Sequence, residues 1–582
     1  MKKLLTVLTL ACIVLNVHAQ INMSLSNPEA ESIIFGNYDP GQYEPAQVIN
    51  HPDSILHGIV NQVSKDTLIA WLSKIDSYHN RNTGSDTVSD SRGIGAVRRW
   101  IHSKFVDIST ANENRLIVSY LDFDINICGV YHHRNVLGIL PGMDTSNKEI
   151  VFIEGHFDTR CEGACDTSCY SPGMDDNGSG TVLVMELARI MSRYAFDQTL
   201  IFALPTGEDQ GLYGAKAFAS YFKNNDIQIR ACLNNDVVGG IACGMTSSPP
   251  SCPYYNHIDS TNVRIFSNSP GNDSSTVSKH KQLARYMKYQ QEHDINPLLN
   301  TPMNINIIIR EDRAGRSGDH IPFRQKNYAA IRVCSQNEHG DGSGTPPDRQ
   351  HTTTDVLGLD LSFPPDGIID TFFVDPGYLQ RNTIMNGVNA GYLAMAPPIP
   401  SPEFIPLPSG IEVHLTGPDA QYLHYRLCVR SKGSGTLYFD SVYTFTGTNI
   451  LVISDLDPEK EYYFSVMNVE NGVESLPCDE FTHITVGTGR LNWIEDVKMM
   501  QNMPNPFQDH TLIPIWSGDQ HDRTAEIRIT DITGRKVQTI TLMLEPGKNQ
   551  YQLLNDGSLK GMYTYTLFID NKAIQTRKLI VM

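Results

Sequence analysis

Apolar residues recur at helical spacing in "SKDTLIAWLSKI", where Leu68, Trp71, Leu72 and Ile75 share one face, and again in "IGAVRRWIHSKF". Downstream the pattern changes. Short apolar runs, "KEIVFIEGHFD", "QTLIFALPTGED", "IRACLNNDVV" and "YAAIRV", are interleaved with a helical segment from Thr181 to Met191. Strands without polar alternation are covered on both faces, so the pattern predicts an α/β domain with a mixed, largely parallel sheet flanked by helices. At "MAPPIPSPEFIPLPSG" the density of proline reads as an extended linker. After it, "YLHYRLCV" and "YYFSVMNV" alternate like half-buried strands, and "IRITDITGRKV" and "MYTYTLFID" continue in the same manner. Two small β-sandwiches are predicted there, the second with turns at Thr533-Gly534 and Asp570-Asn571.

With 582 residues the chain is long enough for several cores. Its 46 basic and 64 acidic residues leave a net charge of −18, which repels a phosphate backbone and argues against a nucleic-acid partner. Lys2 and Lys3 precede an apolar stretch from Leu4 to Val17 and a small-residue site ending at Ala19, the form of an export signal over residues 1–19. Residues 20–60 are then an N-terminal extension or propeptide. No other apolar run is long enough to cross a bilayer, so no transmembrane segment is expected in the mature chain. Of eleven cysteines, Cys12 leaves with the signal and ten remain, a set suited to disulfides after export. Pairs Cys243–Cys252 and Cys428–Cys478 are expected. Cys161, Cys165 and Cys169 stand four apart, a spacing open to a metal, although disulfides suit an exported chain better.

Each apolar run of the α/β region ends in a polar cluster: His156 and Asp158, Glu208 and Asp209, Asp236. In a parallel sheet the carboxyl ends of strands share one edge, where open α/β folds build their sites. "SPGMDDNGSGTV" adds Asp175 and Asp176 at a loop entering a helix. Burying so many carboxylates along one edge is costly unless cations balance them, which points to a metal site.

The segments "GHFDT", "PGMDDNGSG", "GEDQGLYG", "NNDVVG", "SGDHIPF" and "QHTTTD" resemble, in order and approximate spacing, the co-catalytic dizinc aminopeptidase family over residues 61–395. That resemblance implies the zinc exopeptidase fold and two zinc ions. His156 and Asp236 would bind one, Asp209 and His351 the other, and Asp175 would bridge both, with a cis peptide between Asp175 and Asp176. Glu208 would be the general base, and Asp158 would accept the second N–H of the His156 imidazole. His320 competes with His351 for the last position, and the "HTTTD" motif favours His351. Asp209 stands where Glu is commoner, and Gln350 stands where some relatives carry an oxyanion-binding tyrosine, leaving that donor unassigned. Arg313 and Arg316 read as solvated surface residues.

Residues 398–487 resemble a fibronectin type III domain, with Leu456, Pro458, Tyr462, Phe464 and Val466 in its spacing, in the role of a spacer. Residues 498–582 look like the C-terminal sorting domain of proteins exported by the type IX secretion system of Bacteroidetes-type bacteria. Together these resemblances imply an exported zinc aminopeptidase that acts on peptides and engages the secretion machinery. It would be delivered across both membranes of a Gram-negative cell and be secreted or held at the surface. The alternatives are a single-zinc glutaminyl-cyclase-like acyltransferase, a carboxypeptidase, and a non-catalytic surface adhesin.

Overall fold

The computed structural model describes residues 21–582 except 247–251, 268–277, 314–315, 341–344, 408–409, 433–436, 455, 458–459, 485–496, 519–521, 533 and 570–571. The export signal with Cys12, Pro458, Thr533 and the Asp570-Asn571 turn lie outside the described residues. The chain divides into two compact units, Met1–Thr485 and Val486–Met582.

Nine strands of the first unit form one sheet: β1 (Ile21–Leu25), β2 (Ile117–Ile127), β3 (Val130–Leu140), β4 (Ile150–Glu154), β5 (Thr199–Leu204), β6 (Ile229–Asn235), β7 (Asn262–Phe266), β8 (Asn304–Ile308) and β9 (Ala330–Ser335). Their order is β1-β2-β3-β5-β4-β6-β9-β7-β8. The centre, β5-β4-β6-β9, is parallel. β1, β2 and β3 join it antiparallel, and β7 lies antiparallel to β9 and parallel to β8. The sheet is therefore mixed, with its parallel strands where the acidic clusters emerge.

The helices are α1 (Pro28–Ile34), α2 (Pro52–Gln62), α3 (Lys65–Asp76), α4 (Gly93–Ala111), α5 (Gly180–Met191), α6 (Tyr213–Asn224), α7 (Lys279–Gln290), α8 (His320–Gln325) and α9 (Pro376–Met395). They explain why the central strands lack polar alternation. In β4, Val151 and Ile153 pack into the core that holds α3, α4, α5 and α9, while Ile150 and Phe152 pack into the core of α1, α6 and α8. Ser64 caps α3 by accepting the Thr67 N–H.

Residues 21–60 belong to this unit rather than standing apart from it. β1 pairs with β2, and Ile55, Leu56 and Ile59 of α2 enter the main core. The long β2–β3 hairpin, which the sequence analysis does not anticipate, alternates buried and half-buried positions along β2.

Beyond α9 the chain forms two antiparallel sheets. One contains Glu403–Leu407, Gly410–His414 and Ile450–Ile453; the other contains His424–Ser431, Ser441–Thr446, Glu461–Glu470, Val473–Glu474 and Phe481–Ile484. Tyr425, Leu427, Tyr462, Phe464 and Val466 fill the space between them. The module is not a free spacer. Its outward Cys428, Phe439, Met467, Val473 and Leu476 belong to the same core as the main sheet and its helices. Arg285 of α7 pairs with Glu480 at 3.1 Å, Glu480 also receives Arg430, and Gln290 donates to Glu474 at 3.0 Å.

Cys243–Cys252 is bridged as expected, and Cys128–Cys165 and Cys161–Cys169 bridge the "CEGACDTSC" loop. Cys428 and Cys478, expected to pair, are buried thiols. They belong to different cores: Cys428 packs into the core of the main sheet and its helices, while Cys478 packs into the module's own interior. The second unit also builds two antiparallel sheets, around a core that includes Ile513, Ile527, Tyr565 and Leu567. Among the described residues no helix is long and apolar enough to cross a membrane.

Candidate metal centre

His156 and Asp158 follow β4, Glu208 and Asp209 follow β5, Asp236 directly follows β6, and Asp175 and Asp176 occupy the turn that leads into α5. The start of α5 is pressed onto the end of β6: a Cβ on Gly180 would lie 2.1 Å from the Asn235 carbonyl oxygen. Asn177 locks this approach, donating from Nδ2 to Asn235 O at 2.8 Å and accepting the Gly180 N–H at 2.9 Å. Asp355 fixes the other side of the turn, accepting the N–H of Asp175 at 3.1 Å and of Asp176 at 3.0 Å. Arg81, fully buried, donates to the Phe157 and Gly173 carbonyls at 3.0 Å each, tying the β4 loop to the same turn.

The carboxylate between the two histidines is Asp176. Its Oδ1 lies 3.5 Å from His156 Nε2 and its Oδ2 lies 3.2 Å from His351 Nε2. Asp236 Oδ1 stands 3.7 Å from His156 Nε2, and Asp209 Oδ1 stands 3.0 Å from His351 Nε2. Glu208 Oε2 is 3.9 Å from His156 Nε2. The expectation of Asp175 as the bridge is corrected, because the turn sends successive side chains to opposite sides. Asp175 Oδ1 accepts the Gly239 and Gly240 N–H groups at 2.9 and 3.0 Å, away from both histidines. The cis peptide likewise falls after Asp176, between it and Asn177.

Asp158 differs from expectation in detail. His156 Nδ1 lies closer to the Asp158 main-chain oxygen, at 3.2 Å, than to Oδ1, at 3.6 Å. The carboxylate itself accepts the N–H of Glu208 and of Asp209, at 3.3 and 3.4 Å. It thereby holds the β5 loop in place. His320 faces the Glu311 carbonyl at 2.8 Å, outside the cluster. Arg313 is buried, not solvated, and pairs with Glu338 at 2.6 Å. Gln350 is buried with Nε2 unpartnered.

The charges do not balance within the protein. Burial, with Asp236, Asp319 and Asp209 nearby, holds Glu208 well above the usual carboxylate range despite the opposing His156. Asp319 and Asp209 are raised first by burial as well. Burial alone would lower His156, but Glu208, Asp158, Asp176 and Asp236 raise it well above the histidine range. Burial alone would raise Asp176, which His156 and His351 instead hold well below the carboxylate range. His156 Nε2, Asp209 Oδ2 and Asp236 Oδ1 are buried without a hydrogen-bond partner, and ligand atoms of His156, Asp176 and Asp236 lie within 4.8 Å of one another. His156, Asp158 and Asp209 meet the same distance, but Asp158 is already committed to the two N–H groups. Nitrogen and carboxylate donors with unmet valence in a closed cluster fit a zinc ion.

Residues 135–358, which contain every residue of this cluster, match the profile of peptidase family M28. A "Probable zinc metalloprotease" of Leptosphaeria maculans is 30% identical over 313 residues, covering 50% of this chain and 68% of that protein. The chain belongs to peptidase family M28. A second "Probable zinc metalloprotease", from Phaeosphaeria nodorum, is 30% identical over 318 residues, 49% of this chain and 61% of that protein. The chain thus spans about three fifths to two thirds of the length of the curated relatives it matches. Among solved structures, the Legionella pneumophila LapA aminopeptidase aligns at 18% identity with a TM-score of 0.41, covering 59% of this chain and 74% of that one. The Porphyromonas gingivalis glutaminyl cyclase aligns at 16% with a TM-score of 0.36, covering 56% and 97%. Residues 503–582 match the secretion system C-terminal sorting domain.

Three residues that shape this M28 site were not legible as such in the sequence: Arg81, Asp355 and Arg332, whose guanidinium pairs with Asp236 at 2.8 Å. Two of the three leave a trace. Asp355 closes the "HTTTD" motif, and Arg332 is a lone charge inside the apolar run "YAAIRV". Arg81, in "NRNTG", looks like any loop arginine.

Proposed function

We propose that the first unit is a zinc-dependent exopeptidase, specifically an aminopeptidase, holding two zinc ions. His156 and Asp236 would hold one and His351 and Asp209 the other, with Asp176 shared. The observation that carries this reading is Asp176, whose two oxygens face two different histidines. Zinc bound there supplies an acidified water and polarises the scissile carbonyl. Glu208, beside His156 but not needed as a ligand, accepts the attacking water's proton at its carboxylate and returns it to the leaving amine. Asp158 acts through the backbone, keeping Glu208 and Asp209 in register. With an export signal over residues 1–19 and the sorting domain at the other end, the enzyme is delivered by the type IX machinery to the cell surface or medium and acts on peptides there.

Elemental analysis of the metal-loaded protein, combined with a panel of free-amine, N-blocked and N-terminal glutamine substrates, tests the proposal. Two zincs and cleavage confined to free-amine peptides are expected. One zinc with cyclisation of N-terminal glutamine would replace it with the cyclase, and cleavage from the carboxyl end would replace it with a carboxypeptidase.

The neighbouring aspartates give a sharper comparison. Asp176→Asn is expected to empty both zinc positions, because the amide withdraws the shared charge. Asp175→Asn is expected to leave zinc content unchanged, since an amide oxygen still accepts the Gly239 and Gly240 N–H groups. The reverse pattern of zinc contents would restore Asp175 as the bridge.

A further inference from the structure

Behind Asp236 lies a buried ladder of alternating charge that no zinc ligand requires. Asp236 Oδ2 pairs with Arg332 Nη2 at 2.8 Å. The other arm of that guanidinium, Nη1, donates to both oxygens of Asp312 at 2.8 and 2.9 Å. Asp312 also accepts the main-chain N–H of Arg313 at 2.6 Å. Arg313 Nη1 meets Glu338 Oε2 at 2.6 Å, and Arg264 Nη2 meets Glu338 Oε1 at 3.0 Å. None of the six is more than 6% exposed. Three acids face three guanidinium groups, so the ladder is neutral by itself. Burial alone would raise Asp312 and Glu338, yet their arginine neighbours hold Asp312 well below the carboxylate range and bring Glu338 down to about 2.

Its foundation is the sheet. Arg332 on β9 stands beside Asn234 of β6, two residues before Asp236, and Arg264 on β7 stands beside Cys334 of β9. The ladder thus crosses three adjacent strands. Each member is held by the next, and Arg332 cannot follow Asp236 without releasing Asp312. The consequence lies at Asp236: Oδ2 is committed to Arg332, while Oδ1 is buried, unpartnered and turned towards His156. Asp209, the other terminal carboxylate, lacks such a footing. Its ion pairs are with His351 at 3.0 Å and with Arg160 at 3.4 Å, and the Arg160 side chain is 20% exposed.

We propose that Arg332 is the positioning residue that presents Asp236 to its zinc through a single oxygen, with the ladder behind it fixing the angle. The proposal rests on the two-zinc reading. Groups behind a metal ligand typically change metal affinity by about 10-fold to 100-fold when altered. The test uses the full-length chain, stripped of metal and titrated with zinc against a chromophoric chelator, with the melting temperature of the metal-free protein recorded alongside. Arg332→Met combined with Asp312→Asn removes one charge of each sign and keeps the ladder neutral. One of the two zinc steps is expected to weaken by about 10-fold to 100-fold, with the other step and the metal-free melting temperature unchanged. Arg332→Lys keeps the charge but lacks the two-armed fork, so the same step should weaken by less. It supplies the measurement if the double variant does not fold. Unchanged affinity at both steps in a folded variant overturns the proposal. So does equal weakening of both steps with a lowered melting temperature, or failure of both variants to fold, since each marks a purely structural role. Failure of the unaltered chain to bind a second zinc would sink the two-zinc reading instead.

Discussion

Glu208→Gln is expected to lower kcat by about 10²-fold to 10⁴-fold, the usual range for loss of a general base. The amide keeps the shape of the carboxylate but cannot accept the water's proton. Zinc content and melting temperature should hold, because Glu208 is not among the groups assigned to a metal. Asp209→Asn should differ by lowering zinc occupancy first. Steady-state kinetics with elemental analysis on both variants decides. Near-normal turnover in Glu208→Gln removes it from the mechanism, and loss of zinc there with retention in Asp209→Asn would exchange the two roles.

A chain ended after Ala396 is expected to fail to accumulate as folded protein, whereas one ended after Thr485 should melt and turn over like the full chain. The shorter truncation strips the module from α7. It leaves Arg285 without Glu480 and uncovers the core that Cys428, Phe439, Met467, Val473 and Leu476 complete. Each large apolar side chain losing its cover costs about 1.5–3 kcal/mol, so three or four such losses match a typical domain stability of about 5–15 kcal/mol. The longer truncation ends at the boundary between compact units and spares every proposed site residue, but it should abolish delivery outside the cell. Soluble yield, thermal melting and fractionation read the outcomes. A well-folded, active chain ending at Ala396 would return the module to the status of a spacer.

The strands that carry the site were legible because they are buried on both faces, and an apolar run bounded by a polar cluster is then visible without alignment. The hairpin of β2 and β3 was not singled out, although "LIVSYLDFDINI" alternates. One letter decided the error over the bridge. "MDD" offers two adjacent carboxylates, and only the path of the turn, fixed by Asp355 and Asn177, shows that Asp176 faces the histidines while Asp175 faces Gly239 and Gly240.

By itself the sequence determined which residue types gather at the sheet edge, that the parallel centre would carry them, and that two β-rich segments follow. These are properties of local periodicity and composition, written in neighbouring positions. The pairing of side chains across long separations was decided only by the tertiary structure. "KHKQLARYMKYQ" carries Lys279, Lys281, Arg285 and Lys288, yet ten of its twelve residues are buried, with Glu480 and Glu474 of a module well over a hundred residues later meeting Arg285 and Gln290. Arg313 reads as a surface cation and Arg332 as a lone charge in an apolar run until Asp236, Asp312 and Glu338 surround them. A charge can be buried only where its partners converge, and that convergence belongs to the fold rather than to any stretch of sequence.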